Sequence, residues 1–505
     1  MLINASILNR TFVAIAGAAI LAGLGAAARA EVKLNSLFSD GAVLQQGRAA
    51  PVWGTAKDGE QVTVKIQDQT VTTTPKDGRW LVRLKPLQAG GPFTLTVTGE
   101  NTITISNLLV GEVWVCSGQS NMAFPLSRAA NAAEASASAG DPQLRLFTVP
   151  RATADTPATD APGSWKESSP EAAPSFSAVG WFFGRELRRT RKVPVGLISS
   201  SVGGTPAEAW TAGAALEDDP ELRQILEQYA QQVRNYDPAA AAARQKQALA
   251  RYKQAVARAK AEGTQPPVAP RAAADPRSKR PSGLYNGMIA PLQPYTIAGA
   301  IWYQGEANAG RAAQYQKLLP AMIRSWRQAW GQGEFPFLFV QIAPHQKMTP
   351  EIREAQLLTW QKVPHTGMAV TTDVGNETDI HPTQKEPVGT RLALAARAIA
   401  YGEKVEYSGP VYRSMKVEGD RAVLSFTHSD GGLVAKEGEL RGFTVAGADG
   451  NFVAANALIA GDKVVVSSPS VSKPVTVRYG WASTPDVNLF NRAGLPATPF
   501  RTDVQ

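Results

Sequence analysis

The 505-residue chain predicts an α/β protein, a mainly parallel sheet covered by helices on both faces, with a β-rich unit before it and another after it. Three patterns lead there. From about residue 110 to 404 short apolar runs alternate with amphipathic segments of helical period, the order that builds parallel sheets. On either side of that stretch the apolar residues alternate one by one, as in half-buried strands. Turns rich in Gly and Ser follow several of the apolar runs, at the carboxyl edge where open α/β sheets bind ligands.

Residues 1–30 hold Arg10, an apolar run from about Phe12 to Leu24, and Ala28-Arg29-Ala30. This is the layout of a secretory signal with a small-residue cleavage site, and the run is too short and too rich in Gly and Ala for a membrane span. The expectation is an exported protein, periplasmic or secreted, whose mature chain starts at Glu31 and makes no stable membrane insertion. From 31 to 109, Val62, Val64 and Ile66, and then Phe93, Leu95 and Val97, alternate between turn signals at Asp58-Gly59, Asp77-Gly78 and Gly90-Gly91. These spacings suit a small antiparallel sandwich.

In the stretch 110–404, strands are expected at 112–116, 144–149, 195–200, 300–303, 337–342 and 368–372, and helices at 179–190, 312–330, 352–363 and 388–401. An insertion, 216–280, interrupts this order. Asp219-Pro220 and Asp237-Pro238 start two helices there, since Asp caps and Pro at the first helical position fit a helix N-terminus. The second helix has little apolar face and ends at Gly263 before a Pro-rich basic stretch. From 405 to 505 the alternation returns, with Ala422, Leu424 and Phe426, Val464 to Val466, and Val475, Val477 and Tyr479.

A mature chain of this length exceeds what one core needs, so two or three domains are expected. Cys116 is the only cysteine, so disulfides do not hold an exported fold together. The formal charge is +9, or about +7 without Arg10 and Arg29, and much of the excess falls between Arg244 and Arg280. That reads as a solvated basic helical face, and export argues against nucleic acid as a partner.

Serine hydrolysis needs a hydroxyl held at a sharp turn, a base for its proton, and donors aimed at the oxyanion. Four segments offer these parts, each at a strand end: Cys116-Ser117-Gly118-Gln119-Ser120-Asn121-Met122, Ser199-Ser200-Ser201-Val202-Gly203-Gly204-Thr205-Pro206, Trp302-Tyr303-Gln304-Gly305-Glu306 and Asp379-Ile380-His381-Pro382. Ser120 is the candidate nucleophile. Pro382 biases His381 to an extended backbone, where residues two apart share a side, which places Asp379 within reach of the ring. The histidines are His345, His365, His381 and His428, so the choice of base is narrow. Alone, a Gly-x-Ser turn or an Asp-x-His is more often structural; four blocks at strand ends in one domain shift that balance. Cys116 ends a buried strand and reads as an inert core thiol. No His, Cys or carboxylate cluster has metal-ligand spacing, and no cofactor is expected.

These four blocks resemble those of the SGNH hydrolase superfamily, and their wording is similar to the sialate O-acetylesterase family. The likeness extends to Val43-Leu44-Gln45, Val52-Trp53-Gly54, Leu284-Tyr285-Asn286-Gly287-Met288-Ile289, Tyr479-Gly480-Trp481 and Phe500-Arg501-Thr502. It implies an SGNH-type three-layer α/β/α core flanked by β-sandwich-like modules, and a serine carbohydrate O-acetylesterase working through an acyl-enzyme. By the same resemblance Ser120 is the nucleophile, His381 the base and Asp379 its orienting acid. The oxyanion donors are the N–H of Ser120, an N–H of Gly203 or Gly204, and the Gln304 amide. Asn286, Glu306 and Trp210 are candidates to bind the O-acetylated carbohydrate. Gln304 stands where many superfamily members have Asn, and the acid precedes the His by two residues rather than three. Three rivals remain: an acetylesterase acting on plant polysaccharide such as xylan or xyloglucan, a lipase or thioesterase of the same superfamily, and an inactive carbohydrate-binding relative.

Overall fold

A computed structural model describes residues 31–270, 275–429 and 431–503; the expected signal segment lies outside them. One strand, β1 (Thr102–Gly118), organises the chain. It is partly exposed as far as Asn107 and wholly buried from Leu108 onward, because the sequence there turns almost continuously apolar, as a strand covered on both faces requires. Its first half pairs antiparallel with Gly90–Thr98 and parallel with Val43–Gln45. Its second half is the centre of the parallel sheet. The strand therefore crosses the 109/110 boundary without a break, and the residues 31–109 share one apolar cluster with one face of the α/β region.

The other strands of that sheet are β2 (Asp141–Thr148), β3 (Trp165–Ser168), β4 (Val195–Ser201), β5 (Gly299–Tyr303), β6 (Phe337–Val340) and β7 (Thr366–Ala369). Their order is β3-β2-β4-β1-β5-β6-β7. All run parallel except β3, a four-residue edge strand too short for the sequence pattern to reveal. The chain leaves β1 toward β2 on one side, while its neighbour β5 leads on to β6 on the other, so the switch point where such sheets bind ligands lies between β1 and β5. Register levels the three carboxyl ends, with Ser201 opposite Gly118 and Tyr303 opposite Gly118.

Side chains of β1 alternate between two cores. Trp114 and Cys116 join the cluster under α2 (Ala178–Arg191) and α5 (Glu386–Ile399), while Val113 and Val115 join the one under α3 (Ala312–Trp330) and α4 (Pro350–Lys362). The expected sheet strands and helices all form; most ends move by a few residues, and the strand expected at 112–116 is the last part of Thr102–Gly118. Gly90-Gly91 corrects one expectation. The pair makes no turn; it lies inside Gly90–Thr98 at φ of 133° and 124°, where pairing with β1 shifts register as a bulge. A Cβ on Gly91 would sit 2.8 Å from the Leu108 carbonyl oxygen.

In the insertion, Asp219 and Asp237 cap Pro220–Arg234 and Pro238–Glu262, each accepting two backbone N–H bonds, and Gly263 ends the second helix in the left-handed conformation. Of the 25 residues in Pro238–Glu262, only Ala241 and Ala259 are buried. Residues 405–503 form β-sheets around their own apolar cluster, which includes Leu424, Val466 and Tyr479. Arg501 fastens them to α4 through a bidentate pair with Glu354, at 2.8 and 2.9 Å. Among the described residues no helix is long and apolar enough to cross a membrane.

Candidate active site

The turn that carries Ser120 is forced by geometry at Gly118. Its φ is 139°, and a Cβ there would lie 2.2 Å from the Tyr303 carbonyl oxygen, so only Gly lets β1 and β5 approach so closely at their ends. Gln119 then donates its N–H to Tyr303 O at 3.0 Å, and Ser120 starts α1 (Ser120–Ala123), half-buried at the sheet edge. Gly203 faces it, with its Cβ position 3.4 Å from Ser120 Cβ; a side chain there would crowd Ser120. The N–H groups of Ser120, Gly203 and Gly204 hold no hydrogen-bond partner among the described residues, which leaves them free for an oxyanion. With only four residues, α1 offers these orphan amides rather than a sizeable macrodipole.

Asn121, beside Ser120, ties three of the four blocks together. Its Nδ2 donates to Glu306 Oε1 at 2.6 Å and to Ile380 O at 3.0 Å, and its Oδ1 accepts from Lys385 Nζ at 2.5 Å. The residue after Ser120 is thus bonded to the residue before His381. Val202 donates its N–H to Gly118 O at 3.1 Å, which adds the Gly203-Gly204 turn to the same knot.

His381 is partly exposed, and its backbone N–H donates to Asp379 Oδ1 at 2.9 Å. Nδ1 of the ring stands 3.8 Å from the same oxygen, too long for a hydrogen bond but close enough for a charge to be felt. Desolvation pushes the imidazole below its ordinary 6.5, only partly offset by Asp379, while Lys385, Arg128 and His345 push the same way as desolvation. Asp373, the other carboxylate near this loop, is held by Arg391 at 2.7 and 2.6 Å and is committed to that ion pair. His345 is buried, and its Nδ1 accepts the Lys347 N–H at 3.0 Å.

Lys385, which is buried, and Glu306, whose carboxyl is enclosed, lie beside the turn of Ser120. Desolvation drops the Lys385 ammonium from 10.5 to about 7, against the opposing pull of Glu306 and Asp379, and its Nζ lies 4.8 Å from the Phe124 ring centre and 5.3 Å from that of Tyr303. Burial likewise raises the Glu306 carboxyl, whose Oε2 has no hydrogen-bond partner among the described residues. The sequence singles out Glu306 but gives Lys385 and Asn121 no role. A lysine four residues after a histidine signals nothing until the fold brings it to a residue 264 positions away.

Three expected site residues take other places. Gln304 is fully buried; its amide donates to Thr205 O at 3.3 Å and Asn308 Oδ1 at 2.7 Å, so both its N–H bonds are spent beneath the glycine turn and none faces an oxyanion. Trp210 is also fully buried, its indole N–H on Thr205 Oγ1 at 2.9 Å and its ring edge-on to Trp302, so it supports the turn and touches no substrate. Asn286 spends its amide on Ala154 O and Asp155 O at 3.2 and 3.0 Å, pinning that segment. Burial raises the Cys116 thiol far above its usual range, which makes it inert.

A profile of carbohydrate esterases, the sialic acid-specific acetylesterases, matches residues 110–263 and 276–398. The sialate O-acetylesterase of Rattus norvegicus is 33% identical over 461 residues, 81% of this chain and 81% of its own. That of Homo sapiens is 30% identical, across 78% of this chain and 76% of its own. The crystal structure of a carbohydrate acetylesterase from Xanthomonas citri is similar over 94% of this chain and all of its own, with 39% identity and a TM-score of 0.80. Fold, site and relatives define an ester hydrolase of the carbohydrate acetylesterase class. Within that class the chain belongs to the family of sialic acid-specific acetylesterases.

Proposed function

We propose that the chain is an exported serine O-acetylesterase with an SGNH-type three-layer core flanked by β-sandwich-like modules, and that it removes acetyl groups from sugars through an acyl-enzyme. Ser120 Oγ attacks the acetyl carbon as His381 takes its proton, and Asp379 stabilises the imidazolium that results. The N–H groups of Ser120 and of Gly203 or Gly204 hold the oxyanion. The sugar leaves with the proton from His381, and water repeats the sequence to release acetate. A base held below 6.5 stays unprotonated at neutral pH, as the first step needs.

One observation carries this reading: the Asn121 bond to Ile380 O, which fastens the turn of Ser120 to the loop of His381. Ser120→Ala is the test, with 4-nitrophenyl acetate as substrate. The rate falls by roughly a thousandfold or more while the thermal midpoint stays near wild type, since a methyl replaces a half-exposed hydroxyl. A variant keeping more than about a tenth of the rate overturns the assignment. Signal-bearing and signal-free forms compared by cell fractionation test export. A panel of acetylated sialosides, xylan and xyloglucan assigns the sugar, and a chelator leaves the rates unchanged.

A further inference from the structure

Beside Ala307 the catalytic edge opens into a cavity of about 460 Å³ between the core and the insertion. Its core side includes Pro206, two residues past the Gly203-Gly204 turn, and Ala307, whose N–H donates to Oε1 of Gln119, the neighbour of Ser120, at 3.3 Å. The far wall is the helix Pro220–Arg234, which presents Ile225, Gln228, Tyr229 and Gln232 at the three- and four-residue spacing of one helical face. A second cavity of about 510 Å³ shares Gln228, Gln232 and Pro276 with the first and continues past Asn235 to Tyr236. From Ile225 to Gln232 alone the wall runs about 10 Å at 1.5 Å per residue, more than one pyranose ring.

The lining decides what fits. Side chains of Gln228, Gln232 and Asn235 make no hydrogen bond among the described residues, and each carboxamide offers donors and an acceptor together, as paired sugar hydroxyls do. Tyr229 and Tyr236 add rings with a polar tip, able to cover the C–H face of a sugar. An acyl chain needs an apolar tunnel, and this wall turns to carboxamides after Ile225. Nucleic acid needs a track of cations, whereas the lining holds two, Arg311, which is paired with Glu208, and Lys279, which stands near Asp275 in the same wall.

We infer that the two cavities form one groove that binds a carbohydrate chain longer than a single sugar, on the alcohol side of the ester cleaved at Ser120. The inference rests on the acetylesterase reading. As the Ser120 Oγ–acetyl bond forms and the acetyl–sugar bond breaks, the chain in the groove is the leaving alcohol. The insertion therefore selects polymeric acetates over monosaccharide acetates.

The test measures kcat/KM on 4-nitrophenyl acetate, on monosaccharide acetates, and on O-acetylated xylo-, cello- and sialyl-oligosaccharides. Wild type favours at least one oligosaccharide over its monosaccharide by about tenfold or more. Gln232→Ala and Tyr229→Ala each bring that ratio toward one, mainly through KM, and Gln232 is exposed, so its variant folds. Lys253→Ala, on the outer helix, keeps the wild-type ratio. No oligosaccharide preference in wild type, or a ratio unmoved by both groove substitutions, overturns the groove. Absence of any hydrolysis, 4-nitrophenyl acetate included, overturns the acetylesterase reading itself.

Discussion

The carboxyl edge of the sheet and the helix Pro238–Glu262 are opposite solutions within one chain. At the edge, the four blocks are bonded to one another through Asn121, Gln119 and Gln304. The insertion helix, equally regular, is capped by Asp237 and Gly263 yet buries only two alanines. Regularity and fixation are thus separate properties. Capping and propensity make a helix, while only packing and cross-links fix its position to the tolerance that catalysis needs.

The sharpest way to break the comparison is at the two carboxylates of the His381 loop. Asp379→Asn lowers kcat by orders of magnitude with little change in KM, because the imidazolium loses its counter-charge. Asp373→Asn instead strips Arg391 of its charged partner and costs about 1–3 kcal/mol of stability, with turnover per folded molecule largely kept. Urea titration alongside kinetics separates the two, and a crippling Asp373→Asn with a mild Asp379→Asn reverses the assignment. Next in size is Asn121→Ala, which leaves Ile380 O, Glu306 and Lys385 short of partners. It destabilises by about 1–3 kcal/mol and lowers kcat more than it raises KM, because the His381 loop is released.

A smaller effect sharpens the electrostatic side. His381 sits below 6.5, so its base form persists to lower pH and the acid limb of kcat/KM falls below 6.5. Lys385 is lowered from 10.5 to about 7, so between those values the unfolded chain binds a proton that the folded chain does not. Its contribution to stability therefore rises with pH across that window, by up to about 1.4 kcal/mol per unit. Lys385→Met removes that slope in denaturation curves measured from pH 7 to 10; an unchanged slope contradicts the depressed ammonium. Smallest of all, replacing residues 238–262 by a short Gly/Ser linker shifts the thermal midpoint by only a few degrees, a direct check that this helix is not part of the core.

Much of this was legible because it is local. Period and capping place the helices at 179–190 and 312–330 within a residue or so of Ala178–Arg191 and Ala312–Trp330, and Asp219 and Asp237 mark their helix starts. The four blocks that supply the candidate site are also contiguous words in the sequence. What escaped it depends on distance. Gln304, Trp210 and Asn286 look like site residues by type and position, but their side-chain N–H groups are consumed by Thr205, Asn308 and the Ala154–Asp155 carbonyls, partners that only the fold supplies. Lys385 and Asn121 escaped for the converse reason, since their meaning lies in a meeting of residues far apart in the chain. Gly90-Gly91 looked like a turn because paired glycines serve a bulge equally well.

The unbroken run of β1 bears on how such a chain can be rearranged. One end of the strand pairs with the N-terminal sheet and the other ends at the turn of Ser120. The residues before 109 are therefore not a cassette that can be deleted, swapped or grafted without disturbing the turn of Ser120. In any recombined or truncated protein of this design, the first unit and Ser120 travel together, whereas a cut within the insertion leaves both in place.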